Sequence, residues 1–290
     1  MIRIPIAVVA IAALTGCSPA DETDHKTTGN PTHAEPALTL ETAAAGKWRD
    51  QANVARDKWR HPAQTLAFFG VNPRQTVIEI TPGYGWYAEI LAPLLRENGH
   101  YIAAVINPDS AIKDSAKSYY AKQYTALKHK LLASPSLYGN PEIRLFDEAK
   151  PTFGETASAD VVLTFRNVHN WREADTVALM LKGIFEVLKP GGTLGLVEHR
   201  ANDDGVDDAS GYIGQTQLIT WAGAAGFVLL DSSEINANPA DNKDREGGVW
   251  RLPPAFSRGS KDREKYAAIG ESDRMTLRFI KPETALSAVQ

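Results

Sequence analysis

The clearest chemical signal in this sequence lies where a β-rich run passes into a helical pattern. The run is residues 76–80 (TVIEI), which contains Glu79, and TPGYG follows it. Glycines such as Gly83 and Gly85 let the backbone turn sharply and let a ligand approach without a Cβ clash. The helix that follows has free N–H groups in its first turn. Ligands of open α/β sheets bind at the carboxyl ends of strands, so this unit predicts a binding site.

Two histidines and a glutamate follow later apolar runs. Residues 164–171 (TFRNVHNW) include His169, and residues 193–199 (TLGLVEH) end in Glu198 and His199. A histidine with its ordinary pKa of ~6.5 suits general-base work at neutral pH. These three residues are therefore the candidate catalytic groups, and a role in shaping the loop is the alternative for His169. Arg166 would pair either with a carboxylate or phosphate of a substrate or with Glu198.

Several other kinds of site lack their sequence patterns. The histidines have no metal-ligand spacing such as HExxH, and there is no GxSxG nucleophile turn, so we expect no metal site and no serine hydrolase. The single cysteine, Cys17, excludes an internal disulfide and an iron–sulfur cluster. Ala88 stands where the third glycine of GxGxxG would fall. Alanine is tolerated there in some variants, so a nicotinamide-dependent oxidoreductase stays an alternative.

These groups need a scaffold, and the sequence predicts alternating strands and helices. The runs expected as strands are residues 76–80, 101–106, 142–146, 159–164, 193–197, 227–230 and 275–281. The helical patterns between them are residues 86–97, 110–133, 174–188 and 214–225. Such alternation predicts a parallel sheet covered by helices on both faces. No clear helical pattern precedes the last run, so periodicity leaves the direction of that strand open.

Together these features resemble those of class I S-adenosylmethionine (SAM)-dependent methyltransferases. The resemblance rests on an acidic residue followed by a GxG turn and on KPGG at 189–192, and it covers roughly residues 76–281. It implies a Rossmann-like α/β fold with seven strands, mostly parallel with an antiparallel last strand. The stretches RHPAQTLAFFG, ITPGYGWYAEIL, FRNVHNW and EHR are more narrowly similar to predicted exported bacterial methyltransferases.

The resemblance also implies SAM as the cofactor. The positions that would bind it are Glu79, Thr81, Gly83, Gly85, Asn107, Asp147, Arg166 and Asn167. In the family, the turn lines the methionine end of SAM, and here Thr81 replaces its first glycine. Asn107 stands where a carboxylate usually grips the ribose, and Asp147 matches the position that contacts adenine. Arg166 and Asn167 follow the fourth strand, where the sulfonium and the methyl acceptor meet.

The composition is that of an ordinary globular protein. The chain has 290 residues, of which 43% are hydrophobic and 23% charged, and its net charge is -4. Nucleic-acid-binding proteins usually carry a basic excess, so we expect no nucleic-acid partner.

The first 17 residues predict export and lipidation. Arg3 precedes an apolar run that is shorter than the ~20 residues needed to span a bilayer, and Leu14-Thr15-Gly16-Cys17 resembles the bacterial lipobox. We expect a signal peptide at 1–16, lipid attachment at Cys17 and a polar, flexible tether over 17–45. By resemblance to enterobacterial sorting, Ser18 after the cysteine favours the outer membrane, with the protein facing the periplasm.

Residues 46–290 are expected to form one methyltransferase-like domain. It would have cap helices over 46–70 and a lid-like insertion over 236–274. The predicted function is methyl transfer from SAM to a small-molecule or lipid acceptor. Because SAM is made in the cytoplasm and export is expected here, a non-catalytic ligand-binding lipoprotein on the same fold is the alternative.

Overall fold

A seven-stranded sheet forms the centre of the molecule. The computed structural model describes residues 38–202, 210–257 and 262–283. The strands are β1 (Thr76–Ile80), β2 (His100–Ile106), β3 (Glu142–Phe146), β4 (Ala159–Phe165), β5 (Leu188–His199), β6 (Val228–Ser233) and β7 (Arg274–Ile280). Their order across the sheet is β3-β2-β1-β4-β5-β7-β6. Strand β7 is antiparallel to both neighbours and the other pairs are parallel, so the predicted mostly parallel sheet with an antiparallel last strand is confirmed.

Helices cover both faces of this sheet. Within the described ranges they are α1 (Leu40–Ala44), α2 (Gln51–Val54), α3 (Asp57–Arg60), α4 (Pro62–Phe68), α5 (Ala88–Leu95), α6 (Asp114–Leu132), α7 (Pro135–Tyr138), α8 (Val168–Glu173), α9 (Val177–Val187), α10 (Gln215–Ala224) and α11 (Arg263–Ile269). Successive residues of β1 point to opposite faces. Val77 packs in the apolar cluster that contains Leu91 of α5, and Ile78 packs in the cluster that contains Ile184 of α9. Burial on both faces explains why the strands read as continuous apolar runs.

Some helix boundaries differ from the prediction. The pattern over 110–133 gives a short 3-10 turn at Pro108–Ser110 followed by α6, which begins at Asp114. The pattern over 174–188 gives α9, and the separate helix α8 precedes it in the stretch that contains His169. Because α8 and α9 are separate helices, they can take different directions, and α8 begins shortly after the end of β4.

The folded part begins before residue 46, where the tether was expected to end. Helix α1 contacts α4 and α5, and its Ala43 is fully buried, which fixes this segment to the domain. The segment expected as cap helices holds the short helices α2, α3 and α4. His61 adopts a left-handed conformation (φ 39°) immediately before Pro62, the first residue of α4, and so separates α3 from α4.

The segment expected as a lid is anchored at its start. Asn236 donates from Nδ2 to Oγ1 of Thr65 (3.0 Å) and of Thr276 (2.9 Å). Further along, Arg245 forms a 2.6 Å ion pair with the buried Asp241. The stretch around Trp250 then reaches the mouth of a cleft. A lid movement of that stretch stays a prediction.

The expected signal peptide, Cys17 and most of the tether lie outside the described residues. Across the three described ranges, none of the helices has both the length and the apolar character that a membrane crossing requires.

Candidate functional site

A cleft of about 560 Å³ opens at the carboxyl ends of β1, β4 and β5. Three groups of residues line most of it. The first lies at the end of β1 and in the turn after it and includes Glu79, Thr81 and Gly83. The second lies at the ends of β4 and β5 and just after β4 and includes Arg166, Asn167, His169 and His199. The third comes from the N-terminal helices and the loop before β7 and includes Arg56, Arg60, Glu271 and Ser272. The cleft volume lies within the ~300–1,000 Å³ typical of small-molecule and cofactor sites.

Glu79 lies at the base of the cleft with a neutral partner. It is 2% exposed, and the hydroxyl of Tyr101 on β2 donates to its Oε2 at 2.6 Å. Burial raises the pKa of Glu79 to about 7, although the Tyr101 hydrogen bond acts in the opposite direction. A positively charged ligand beside Glu79 would favour its ionised form, so this end of the cleft suits a cation.

Thr81 leaves a polar atom available in the turn. Its φ is 51°, in the left-handed region that glycine adopts most easily, and its Oγ1 is buried with no hydrogen-bond partner among the described residues. The backbone therefore keeps the conformation that the family pattern supplies with glycine. A ligand in the cleft can satisfy the buried hydroxyl.

The two glycines of the turn have different surroundings. Gly83 (φ 61°) lines the cleft, and a Cβ there would be 3.5 Å from Nε2 of Gln123. Gly85 (φ 80°) is not among the cleft-lining residues, and a Cβ there would lie 2.7 Å from Cδ1 of Leu127 on α6. Gly85 therefore permits close packing of the turn against α6, whereas Gly83 borders the ligand space.

The residues expected to hold ribose and adenine face elsewhere. Oδ1 of Asn107 accepts from the Asp109 backbone N–H (3.2 Å), and Oδ1 of Asp147 accepts from the Ala149 N–H (2.8 Å). Each side chain thus closes its own turn, and neither lines the cleft. Glu148 lines it instead.

Glu148 is held in place by groups from the β2–α6 region. It is 7% exposed, and it accepts from the Ile112 N–H at 2.8 Å and from the Tyr120 hydroxyl at 3.3 Å. The backbone turns after β3, with the Lys150 N–H donating to the Asp147 carbonyl at 3.3 Å. Within this turn Asp147 bonds to the Ala149 N–H, and the next residue, Glu148, lines the cleft.

Glu198 fixes the position of His169. The carboxylate is fully buried and accepts backbone N–H bonds from Val168 (2.7 Å), His169 (3.3 Å) and His199 (2.8 Å). Its Oε1 is also 3.0 Å from Nδ1 of His169. Because a carboxylate only accepts, Nδ1 donates and Nε2 is the nitrogen left for a ligand. The cleft-lining His169 is therefore oriented as a general base needs to be.

His199 lies beside His169 but is kept neutral. Its Nδ1 is 2.5 Å from Oγ of Ser272, and its ring centroid is 5.1 Å from that of His169. Burial, together with the charges of His169 and Arg166, lowers the pKa of His199 well below its ordinary value. His199 therefore contributes a neutral ring to the site.

These three residues also form a cluster that metal-ligand spacing in the sequence does not reveal. His169, Glu198 and His199 each offer a ligand atom, and the three atoms lie within 4.8 Å of one another. However, Glu198 already receives four N–H donors, which satisfy its oxygens without an ion. The geometry is thus explained by hydrogen bonding alone.

Asn167 and Arg166 follow β4 and have different settings. Asn167 donates from Nδ2 to the Ile80 carbonyl (3.0 Å) and to Oγ1 of Thr164 (3.1 Å), which ties the end of β1 to the end of β4. Arg166 adopts φ 61° and lines the cleft. Asn167 positions the strand ends, and Arg166 presents a charge.

Arginines that the sequence analysis missed surround Arg166. We call Arg56, Arg60, Arg166 and Arg274 the arginine cluster, because all four act electrostatically on the buried Glu271. The spacing of Arg56 and Arg60 is one helical turn, a weak signal that they share a face. Nothing in the sequence connects them with Glu271, which is 211 positions after Arg60.

Comparisons with known proteins identify the fold. No protein-family model and no curated protein matches this chain. Among solved structures, a SAM-dependent methyltransferase from Aquifex aeolicus is 15% identical, with a TM-score of 0.52, over 84% of this chain and 99% of that chain. The [4+2]-cyclase SpnF is 19% identical, with a TM-score of 0.53, over 84% of this chain and 92% of that chain.

The chain therefore has the Rossmann-like, seven-stranded class I methyltransferase fold. Identities this low establish the fold and not the reaction. The two similar structures bear this out, because one is described as a methyltransferase and the other as a cyclase.

Proposed function

We propose that this chain is a SAM-dependent methyltransferase, tethered to the bacterial cell envelope by lipid at Cys17. The observation that carries the catalytic part is a cleft at the strand ends that pairs a cation-favouring Glu79 with an oriented, cleft-lining His169. The first suits the amino or sulfonium group of SAM, and the second suits proton removal from an acceptor.

The residues after β1 fit SAM on three counts. Glu79 offers an acidic group, Thr81 offers a buried hydroxyl that has no partner in the described ranges, and Gly83 leaves the backbone open to a ligand. Glu148 adds a carboxylate at the β3 end of the same cleft. These residues would hold the cofactor, with Glu148 in place of the two positions that the family resemblance implied.

SAM supplies an activated methyl group when it is bound. The residues of this chain then have to align the acceptor with the methyl group and remove a proton from the acceptor. In this proposal, the acceptor loses a proton to Nε2 of His169 as it gains the methyl group. Glu198 keeps the proton on Nδ1 and stabilises the imidazolium that forms, and the water-excluding wall includes Trp250, whose ring centroid is 6.1 Å from that of His169.

A second function is supported by a specific observation. Asn107 and Asp147 close their own turns and do not reach the cleft. A protein that binds a ligand on this fold without transferring a methyl group would tolerate that arrangement. Absence of SAM binding by a folded chain would favour this second function.

The envelope location is supported by the sequence LTGC at residues 14–17 and by the polar stretch that follows it. Several acyl chains, each contributing ~0.8 kcal/mol per buried CH₂, hold a protein firmly on a bilayer. A Cys17→Ser variant tests this part. We expect labelled palmitate to be incorporated into the wild-type chain and not into the variant, and equal labelling of both would contradict lipidation at Cys17.

The catalytic part is tested by calorimetric titration with S-adenosylhomocysteine. We expect binding at roughly 1 μM to 1 mM, and loss of binding in Gly83→Arg, because the new side chain would fill the ligand space. Gly223→Arg is the matched control, since a Cβ at that exposed helix position meets nothing within 4 Å. No binding by the folded wild type, or equal binding by both variants, would contradict the proposal.

A further inference from the structure

The arginine cluster carries charge that the methyl-transfer chemistry does not use. Oε1 of Glu271 accepts from Nε of Arg56 at 2.7 Å, and Oε2 accepts from Nε of Arg60 and Nη1 of Arg274, each at 3.0 Å. Burial raises the pKa of Glu271, but the arginines outweigh this effect and lower it to about 2. Three guanidiniums therefore hydrogen-bond to one ionised carboxylate, and the charge of Arg166 also acts on it.

Several guanidinium donors in the cluster have no acceptor. Arg60 is 2% exposed, and its buried Nη2 has no hydrogen-bond partner among the described residues. The side chain of Arg166 likewise makes no hydrogen bond to any part of the chain that the structure describes. Both residues line the cleft. A buried donor without an acceptor is unfavourable, so an anionic ligand that enters the cleft can satisfy the buried Nη2 of Arg60.

Other acidic groups on this side of the cleft are engaged elsewhere. Glu198 receives the N–H bonds at His169, and Asp273 pairs with Arg200 (3.0 Å) and Lys243 (2.8 Å). Burial and the neighbouring charge of Arg166 lower the pKa of Arg60 well below its ordinary value. The local field is thus strongly positive, and Glu271 alone does not balance it.

We propose that the arginine cluster binds a carboxylate or phosphate group of the methyl acceptor. This inference rests on the proposed function, and it adds the chemical class of the acceptor. Guanidiniums bind both groups through paired N–H donors. Arg166 and Arg60, which have unused donors, provide them, and Arg56 adds a third positive charge at the cleft wall.

The part of the cluster at β7 favours the acceptor over the cofactor's own carboxylate. Glu271 and Arg274 belong to β7 and the loop before it, and β4 and β5 separate β7 from β1 in the sheet. Three strand spacings correspond to about 14 Å. Glu271 and Arg274 therefore lie towards His199, whose Nδ1 is 2.5 Å from Oγ of Ser272. Arg60 lies 4.8 Å from the ring centroid of Trp86, close to the turn proposed to hold SAM, so the cluster spans the cleft from that turn to β7.

Two aromatic rings lie beside the cluster. Tyr87 and Phe165 line the cleft and stack with their ring centroids 3.7 Å apart. Arg60, Arg274 and Arg166 all act electrostatically on Tyr87, which places the stacked pair next to the cluster. Aromatic rings therefore form the wall of the cleft beside the cluster.

The test is a calorimetric titration of the purified chain with inorganic phosphate in a low-chloride buffer. We compare wild type, Arg166→Gln and Arg56→Gln with Arg74→Gln, whose side chain is exposed and outside the cleft. We expect phosphate to bind the wild type and Arg74→Gln equally, and the two cleft variants to bind roughly tenfold to hundredfold more weakly. Arg166→Gln removes no hydrogen bond within the described chain, so it should stay folded.

Repeating the titration with saturating S-adenosylhomocysteine distinguishes the sources of the anion. Retained phosphate binding supports the acceptor, and loss of phosphate binding overturns the inference in favour of the cofactor's carboxylate. Absent phosphate binding, or equal binding by all four proteins, also overturns it. If S-adenosylhomocysteine itself does not bind while phosphate binds as expected, the proposed function fails and the anion site stands without its assignment to a methyl acceptor.

Discussion

Two buried glutamates in one cleft have opposite electrostatic settings. Glu79 and Glu271 are each 2% exposed. The partner of Glu79 is the neutral hydroxyl of Tyr101, and burial raises the pKa of Glu79 to about 7. The partners of Glu271 are arginines, and they lower its pKa to about 2. Burial is the same, so the partners decide whether each carboxyl carries charge at neutral pH.

This difference divides the cleft into two halves. Glu79 has no positively charged partner among the described residues, so its end of the cleft suits a cationic ligand group. The β7 end has excess guanidiniums and suits an anionic group. SAM with an acidic acceptor would match both. Replacing each glutamate by glutamine tests whether the two carboxyl groups differ in charge.

The largest expected effect is on stability when Glu271 is changed. Glu271→Gln should lower the free energy of unfolding by about 3–5 kcal/mol, because it leaves buried guanidiniums without their counter-charge. Glu79→Gln should cost little or be stabilising at pH 8, because it removes a buried carboxylate that has no cation. Urea unfolding of both variants, with the exposed Glu155→Gln as control, measures the difference. Equal losses for the two buried positions would contradict the comparison.

The next effect is a dependence of stability on pH. The pKa of Glu79 is raised from 4.5 to about 7 in the folded chain, so the folded state holds this proton more tightly than the unfolded state. Its contribution is therefore greatest below pH 4.5 and falls by about 3 kcal/mol as the pH rises through 7. The difference in unfolding free energy between the wild type and Glu79→Gln, measured with urea at each pH, isolates this contribution. A difference that does not change with pH would contradict the raised pKa of Glu79.

Glu271 should show the opposite slope. Its pKa is lowered from 4.5 to about 2, so its contribution is present above pH 4.5 and is lost as the pH falls towards 2. The same comparison with Glu271→Gln, taken down to the lowest pH at which the chain stays folded, checks this sign. A stability loss on raising the pH would contradict the ion-pair description.

A smaller effect is expected on cofactor affinity at the β3 end. Glu148→Gln should weaken S-adenosylhomocysteine binding by roughly tenfold, which corresponds to the loss of one charged hydrogen bond. Asp147→Asn is its matched neighbour and should bind normally, because Asp147 lies outside the cleft. Titrations of the two variants give the answer. Weaker binding by Asp147→Asn alone would show that Asp147, which the family resemblance implied, contacts the cofactor in place of Glu148.

The smallest expected effect concerns Glu198, a third buried glutamate whose partners are N–H donors. Because those donors satisfy its oxygens, treatment with EDTA should leave the melting temperature unchanged. The measurement is a thermal unfolding scan before and after chelation. A fall in melting temperature that added zinc restores would instead identify His169, Glu198 and His199 as metal ligands.

The fold was predictable because its signals are local. Buried strands appear in the sequence as continuous apolar runs, and Glu79 and two glycines mark the turn after β1. The ends of parallel strands meet at one edge, so His169 and Glu198 could be grouped although 29 positions separate them. Predicting that these residues lie together requires only the parallel sheet that the alternation of strands and helices implies.

The rest of the site depends on packing that the sequence does not display. Gly85 matches a ligand-binding motif, yet its closest neighbour is Leu127 on another helix. At the end of β3, a shift of one residue exchanges Asp147 for Glu148 at the cleft. The contact between Arg60 and Glu271 joins α3 to the loop before β7, and no local pattern indicates such a pairing.

The central claim is that the cleft binds SAM with its positive charge beside Glu79. The most direct measurement is calorimetric titration of the chain with SAM from pH 5.5 to 8.5, in two buffers of different ionisation enthalpy, beside Glu79→Gln. We predict that affinity rises as the pH approaches 7, and that about one proton per SAM is released below pH 7 by the wild type and none by the variant. Absence of SAM binding by the folded wild type at every pH would contradict the claim.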